Sequence, residues 1–136
     1  MLERGGELRT GITPNLSAKS VQTAIRDNVA KGASVMTDEH DAFLGLQGDY
    51  SHHRVNHSDG EYVRHYCLHT NGIESVWALF KRQIIGIHHW LSPKHLDRYL
   101  GEMTWRFNLR EMEEGERVNA LLAQTTGRLT YKALIA

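Results

Sequence analysis

A chain of 136 residues, 40% hydrophobic and 24% charged, is long enough for one domain with a core and short for two. Sixteen basic and sixteen acidic residues cancel to a formal net charge of zero, which excludes a nucleic-acid binder that works by bulk charge alone. No apolar run approaches the roughly 20 residues of a bilayer crossing, no apolar signal core follows Met1, and the one cysteine, Cys67, allows no intrachain disulfide. A cytoplasmic protein without a membrane partner is expected, with Cys67 a small buried apolar side chain.

Met1 to Gly6 reads as the end of a strand and a turn, and Glu7 to Thr13 as a strand after the Gly5-Gly6 turn. Pro14-Asn15 breaks it. Ser17 is the expected N-cap of a helix to about Val29, with Val21, Ala24, Ile25 and Val29 on one face, ended by Lys31-Gly32. Ala33 to Asp38 reads as a short buried strand, so strand, helix, strand suggests an α/β unit. Asp41 to Leu46 suits a short helix; Gly48 to His57 is loop-like, with Arg54 to His57 a candidate strand. Tyr62 to Leu68 has no clear pattern. Thr70 or Asn71 can cap a helix to about Ile84, with Ile73, Val76, Trp77 and Phe80 as its apolar stripe, and Gly86 interrupts. Ser92-Pro93 opens another helix, whose apolar face is Leu96, Tyr99, Leu100, Met103 and Phe107. Glu111 to Ala136 reads as a helical tail.

The chemistry concentrates in His69-Thr70-Asn71-Gly72-Ile73-Glu74-Ser75-Val76-Trp77-Ala78-Leu79-Phe80-Lys81-Arg82. Seven residues are close to two helical turns, so Glu74 and Lys81 share a face. Asp38 ends a strand, where open α/β sheets place their sites. Phosphodiester transfer by divalent ions needs a few carboxylates around an open site, and magnesium accepts two or three oxygen ligands while keeping water. Asp38 and Glu74 are the candidate metal ligands. Asn71, three residues before Glu74, can be a third ligand or bond to DNA, and Lys81 can hold a phosphate as a point charge. Each piece also has an ordinary reading: Asp38 as a turn cap, Glu74 and Lys81 as a solvated helix face, and Trp77 as core rather than a base-stacking platform.

Local basicity survives the neutral total, because Lys81, Arg82, Lys94, Arg98, Arg106 and Arg110 fall in one stretch and Glu111, Glu113, Glu114 and Glu116 follow it. Lys81, Arg82, Lys94 and Arg98, with His88 and His89 on a loop after Gly86, are the candidate DNA contacts. His52, His53, His57, His65 and His69 surround Cys67, but their spacing fits no compact structural-zinc pattern.

These residues resemble bacterial insertion-sequence transposases of the DDE superfamily, in the group whose last motif reads His-Thr-Asn-x-x-Glu-x-x-Trp-x-x-x-Lys-Arg. Val35 to Glu39 is similar to the segment holding that family's second acid. Val55 to Ser58 and Glu61 to Val63 resemble its connecting segment, Gly86 to His89 and Lys94 to Leu100 the part after the lysine, and Arg106-Phe107-Asn108-Leu109-Arg110 its closing signature. The resemblance covers residues 1–110, as the C-terminal part of a catalytic domain, with 111–136 as a helical tail. It implies an α/β, ribonuclease-H-like (integrase-type) fold, a mixed five-stranded sheet flanked by helices. It also implies Mg2+- or Mn2+-dependent cleavage at transposon ends followed by strand transfer into target DNA, by a homo-oligomer at the nucleoid. Asp38 would be the second acid and Glu74 the third, with Asn71 in contention for that role and Lys81 matching the lysine of the same helix. The first strand and most of the second, with the first acid, have no counterpart in Met1 to Arg9. The expectation is a truncated transposase, inactive alone, whose partners are DNA and a full-length transposase or an N-terminal fragment. A DNA- or transposase-binding remnant without catalysis and a metal-dependent nuclease are the alternatives.

Overall fold

The computed structural model describes residues 1–55, 71–125, 127 and 130–132. Helix α1, Ala18–Asn28, starts where a cap is written into the sequence: the Ser17 hydroxyl accepts the Ser20 N–H at 3.3 Å. Asn15 braces the same corner, its side-chain oxygen accepting from the Ser17 N–H and the Ser20 hydroxyl. The helix ends at Val29, and Gly32, at φ +81°, reverses the chain into strand β1, Ser34–Thr37. Ile25 is buried as expected, whereas Ala24, expected on the same face, is exposed.

Strand β2, Ser51–Arg54, lies parallel to β1 in the register Ser34↔Ser51 to Thr37↔Arg54. Arg54 therefore ends this strand, and the expected loop from Gly48 gives way to a strand at Ser51. Ser-His-His-Arg carries no apolar alternation; what holds it is the backbone ladder to β1. A single 3-10 turn, Asp41–Phe43, forms on the connection. Ile25, Leu46 and Tyr50 make a small core here, with Val21, Val29, Ala33, Val35 and Phe43 packed on it.

The expected strand over Glu7 to Thr13 shortens to one antiparallel bridge, Leu2↔Leu8. Met1 to Arg9 forms a ribbon around Gly5, at φ +73°, closed by Glu3 N–H to Glu7 O and Arg9 N–H to Met1 O. Beyond Arg9 the chain is not paired with another described strand, which is why the strand stops.

Helix α2, Asn71–Gln83, buries Val76 and Phe80. Trp77 departs from the expected stripe: it is 48% exposed and meets Phe80 edge-on at 6.1 Å. The helix does not break at Gly86. It relaxes into a π turn, Ile84–His88, that contains Gly86 and is closed by the N–H of His89, at φ +59°. Pro93 then starts a 3-10 turn, Pro93–His95, with Ser92 ahead of it, and helix α3, Leu96–Asn108, follows. Its face is the expected one. Leu8, Val76, Phe80, Leu100 and Met103 form the larger core, flanked by Leu96, Tyr99 and Phe107 among others. Each such side chain is worth about 1.5–3 kcal/mol when fully buried. Helix α4, Glu114–Gln124, realises the expected tail helix and has no buried residue.

The architecture is thus mixed α/β, with a described sheet of two strands where the resemblance implies five. The parallel ladder engages the carbonyls of Ala33 and Thr37. By the alternation of such ladders, the backbone groups of Ser34 and Met36 point to the other edge of β1, where no described strand lies. Among the described residues no helix is long and apolar enough to cross a membrane. Asn56 to Thr70 lie outside the described residues, and with them Cys67, His57, His65, His69 and the expected connecting segment.

Candidate functional site

Asp38 leaves the carboxyl end of β1, exposed, as the strand pattern demands. One of its oxygens, Oδ1, accepts the His40 N–H at 3.0 Å, and His40 Nδ1 in turn accepts the Ala42 N–H at 3.1 Å. The ordinary role of a turn cap is therefore real. It uses one oxygen and leaves Oδ2 without a hydrogen-bond partner among the described residues.

The floor under Asp38 was not foreseen. Thr37, buried, donates its hydroxyl to the Asp38 carbonyl at 2.9 Å and meets His52 Nε2 at 2.9 Å. A hydroxyl has one proton, so His52 Nε2 must carry the hydrogen of that second bond. His52 Nδ1 is then a bare, buried acceptor with no partner among the described residues. Burial, then the charges of Arg54 and His53, holds the imidazole pKa below its ordinary value. Arg54 donates to the Glu39 carbonyl and lies 3.9 Å from Asp41, fastening the next two turns. Thr37 opposes Arg54 and His52 opposes Val35, so the threonine and histidine are diagonal neighbours on one face of the two-strand ladder, a signal visible only once the register is known.

Glu74 stands in the first turn of α2, where the positive end of the helix favours a carboxylate. Lys81 stands in its last turn, about 20° around the axis from Glu74 at 3.6 residues per turn. Asn71 opens the helix, about 60° to the other side of Glu74. All three are exposed. Trp77 occupies the same flank as Glu74 and Lys81, so its half-exposed ring is part of this surface.

The N-terminal ribbon joins the two halves. A side chain added at Gly72 would lie 3.0 Å from Leu2, so the ribbon sits against the first turn of α2. Arg4 reaches Met36 Sδ on β1 at 3.3 Å. Asp38 follows Met36 by two residues along β1, whereas Glu74 stands about 200° around the axis of α2 from Gly72. The ribbon therefore touches the elements that carry both acids, and Glu74 lies on the side of its helix away from Leu2. Oxygen donors of this kind suit magnesium. Among the described residues, however, no three His, Cys, Asp or Glu side chains gather to hold a metal ion.

The expected DNA contacts divide. Arg82, His89, Lys94 and Arg98 are exposed. His88 is engaged: half-buried, edge-on to Tyr99 at 4.7 Å and 3.3 Å from Gln83 Nε2. The closing Arg106 to Arg110 segment proves to be a brace. Asn108 accepts the Leu8 N–H at 2.7 Å and donates to the Leu8 carbonyl at 3.0 Å, and Thr10 and Thr104 share a bond of 2.7 Å. Arg106 pairs with Glu102, and Arg110 lies over the Phe107 ring at 4.4 Å.

A protein-family model described as the ISXO2-like transposase domain matches residues 1–108. A Haemophilus influenzae protein described as an uncharacterized transposase-like protein is 30% identical over 105 residues, which are 76% of this chain and 83% of that protein. No solved structure matches the chain.

Proposed function

The chain belongs to the ISXO2-like transposase domain family, and from that premise we propose that it is the part of a transposase catalytic domain that supplies Asp38 and Glu74 to metal-dependent cleavage and joining of DNA. The supporting observation is an exposed acid at the end of β1, Asp38, with one oxygen uncommitted among the described residues, together with an exposed flank of α2 that carries Glu74 and Lys81 side by side. The fold that goes with this reading is a ribonuclease-H-like sheet of which β1 and β2 are the described strands. Asp38 and Glu74 would hold Mg2+ or Mn2+, with Asn71 beside Glu74 as the alternative third-position residue. Such an ion, when bound, activates the attacking oxygen and stabilises the leaving one.

The chain's own residues orient the rest. Lys81 places a positive charge seven residues from Glu74, able to hold a backbone phosphate beside the acids. Arg82, Lys94 and Arg98 extend that charge past the end of α2, and His89 lies on the same loop. Among the described residues no third carboxylate, histidine or cysteine joins a pair of acids to close an ion site. The reading is therefore a domain that binds DNA and is crippled in cleavage by itself. The non-catalytic binding remnant is its limiting form.

The test uses the purified full chain, labelled duplex carrying the ends of its element, and Mg2+ or Mn2+. Binding that weakens with salt, without nicking, is the expected result. Nicking that Asp38→Ala abolishes would keep the site and overturn the crippled reading. Failure to bind DNA even at low salt would overturn both.

A further inference from the structure

The chain carries two exposed apolar surfaces of opposite electrostatic surroundings. The first is the tip beyond α2. There the π turn and the left-handed His89 hold Ile85, Ile87 and Trp90 outward, with Trp90 70% exposed. Lys81 and Arg82 lie in the last turn of α2, just before this tip, and Arg98 precedes Tyr99, whose ring meets His88 of the π turn. All three are exposed and join no ion pair among the described residues. The second is α4. Its least exposed residues are Arg117 and Ala120, so the helix turns its apolar stripe of Val118, Leu121 and Leu122 outward, with Leu122 61% exposed. Glu113, Glu114 and Glu116 crowd the start of that helix. An amphipathic helix with its apolar side in water lacks its partner.

We propose that the occupant of the basic tip is α4 of a second copy of this chain. Hydrophobicity and charge match: an acidic-ended apolar stripe against an apolar tip with cations beside it. Eleven residues make a helix of about 16 Å. One such contact is small against the roughly 1,200 Å² of a specific interface, and a reciprocal exchange supplies two about a two-fold axis. The dimer therefore has each α4 seated on the other copy's Ile85, Ile87 and Trp90. The inference stands without the transposase reading, since its measurement contains no DNA; Arg82 and Arg98 cannot meet α4 and a phosphate at once, so dimer and DNA compete for the tip.

Charge reversal at exposed positions tests it. One variant carries Arg82→Glu with Arg98→Glu, and a second carries Glu113→Arg with Glu114→Arg; circular dichroism verifies that both are folded. Sedimentation equilibrium of the wild type at low salt should give twice the monomer mass of 15.5 kDa, falling toward the monomer at about 500 mM NaCl as the charges are screened. Each variant alone should be monomeric, because both its surfaces then carry one sign. The two mixed should form a heterodimer. A monomeric wild type at low salt, a dimer indifferent to either reversal, or variants that fail to pair on mixing would each overturn the proposal. So would a wild type that stays monomeric while short duplex DNA alone protects Trp90 from acrylamide quenching.

Discussion

His52 shows how much a single side chain beneath Asp38 can decide. Its Nε2–H supports Thr37, whose hydroxyl supports the Asp38 carbonyl, and its Nδ1 is buried without a partner among the described residues. Protonation would place a charge on that nitrogen beside Arg54 and His53. The folded pKa is thus lowered, by burial first and by those two charges second. Between that value and about 6.5 the unfolded chain binds more protons than the folded one. The stabilisation from neutral His52 is therefore complete above about pH 6.5 and is lost as pH falls through the folded pKa. Urea midpoints measured from pH 7.5 to pH 5 should fall for the wild type and fall less for His52→Gln. Parallel profiles for the two proteins would refute the assignment. Nothing in the sequence around His52 announces this, because the interaction depends on β1 and β2 pairing parallel in one register. Asp38, by contrast, was legible, since it follows an apolar run and needs only the end of a strand to be exposed. The error at Trp77 has the opposite cause. Helical spacing put it at the edge of an apolar stripe, and only the packing of α2 on α3 and the ribbon decides whether an edge residue is covered.

Elements with local signals appeared where the sequence put them: α1 behind the Ser17 cap, α3 behind Ser92-Pro93, α4 in the tail. Elements that depend on distant partners did not. The ribbon is the clearest case, because Leu8 is paired on one side by Leu2 and on the other by a side chain a hundred residues away. The Asn108 amide has one acceptor and a donor group, which is what a single residue of a strand edge offers and requires. It ends the sheet as a neighbouring strand would, and no spacing rule reveals it. Leu8 is 1% exposed, so removing the amide leaves a buried N–H and C=O unsatisfied. Asn108→Ala should cost about 2–6 kcal/mol in urea unfolding, at about 1–3 kcal/mol for each of the two stranded groups. Asn108→Asp should not restore stability, since it keeps the acceptor but turns a second oxygen on the Leu8 carbonyl. A loss below about 0.5 kcal/mol for Asn108→Ala, the level of an ordinary surface change, would mean that water replaces the amide freely and that the ribbon is held by Leu8 packing alone.

At the scale of the molecule, the buried apolar residues fall into two clusters rather than one. Leu8, Val76, Phe80, Leu100 and Met103 join the ribbon to α2 and α3. Ile25, Leu46 and Tyr50 join α1 to the turns and strands around it. Arg4 to Met36 and Arg9 to Asn28 bridge these halves as exposed polar contacts. Exposed contacts of this kind contribute little cooperativity. Two more buried side chains at about 1.5–3 kcal/mol each favour the first cluster. The α1–β1–β2 half should therefore open by itself before the chain unfolds globally. In native-state hydrogen exchange with increasing urea, amides near Ile25 should exchange at least about tenfold faster than those of Val76 and Phe80, a gap of about 1.4 kcal/mol or more in opening free energy. Tryptophan fluorescence should miss this step, because Trp77, Trp90 and Trp105 all lie in the other half. Equal opening energies across α1, α2 and α3 would show one cooperative unit and defeat this division. The site itself straddles the boundary: Asp38 belongs to the weaker half and Glu74 to the stronger, and the ribbon touches both. Whatever binds both acids at once must also hold the halves together, so a ligand of the pair should raise the protection of α1 more than that of α2.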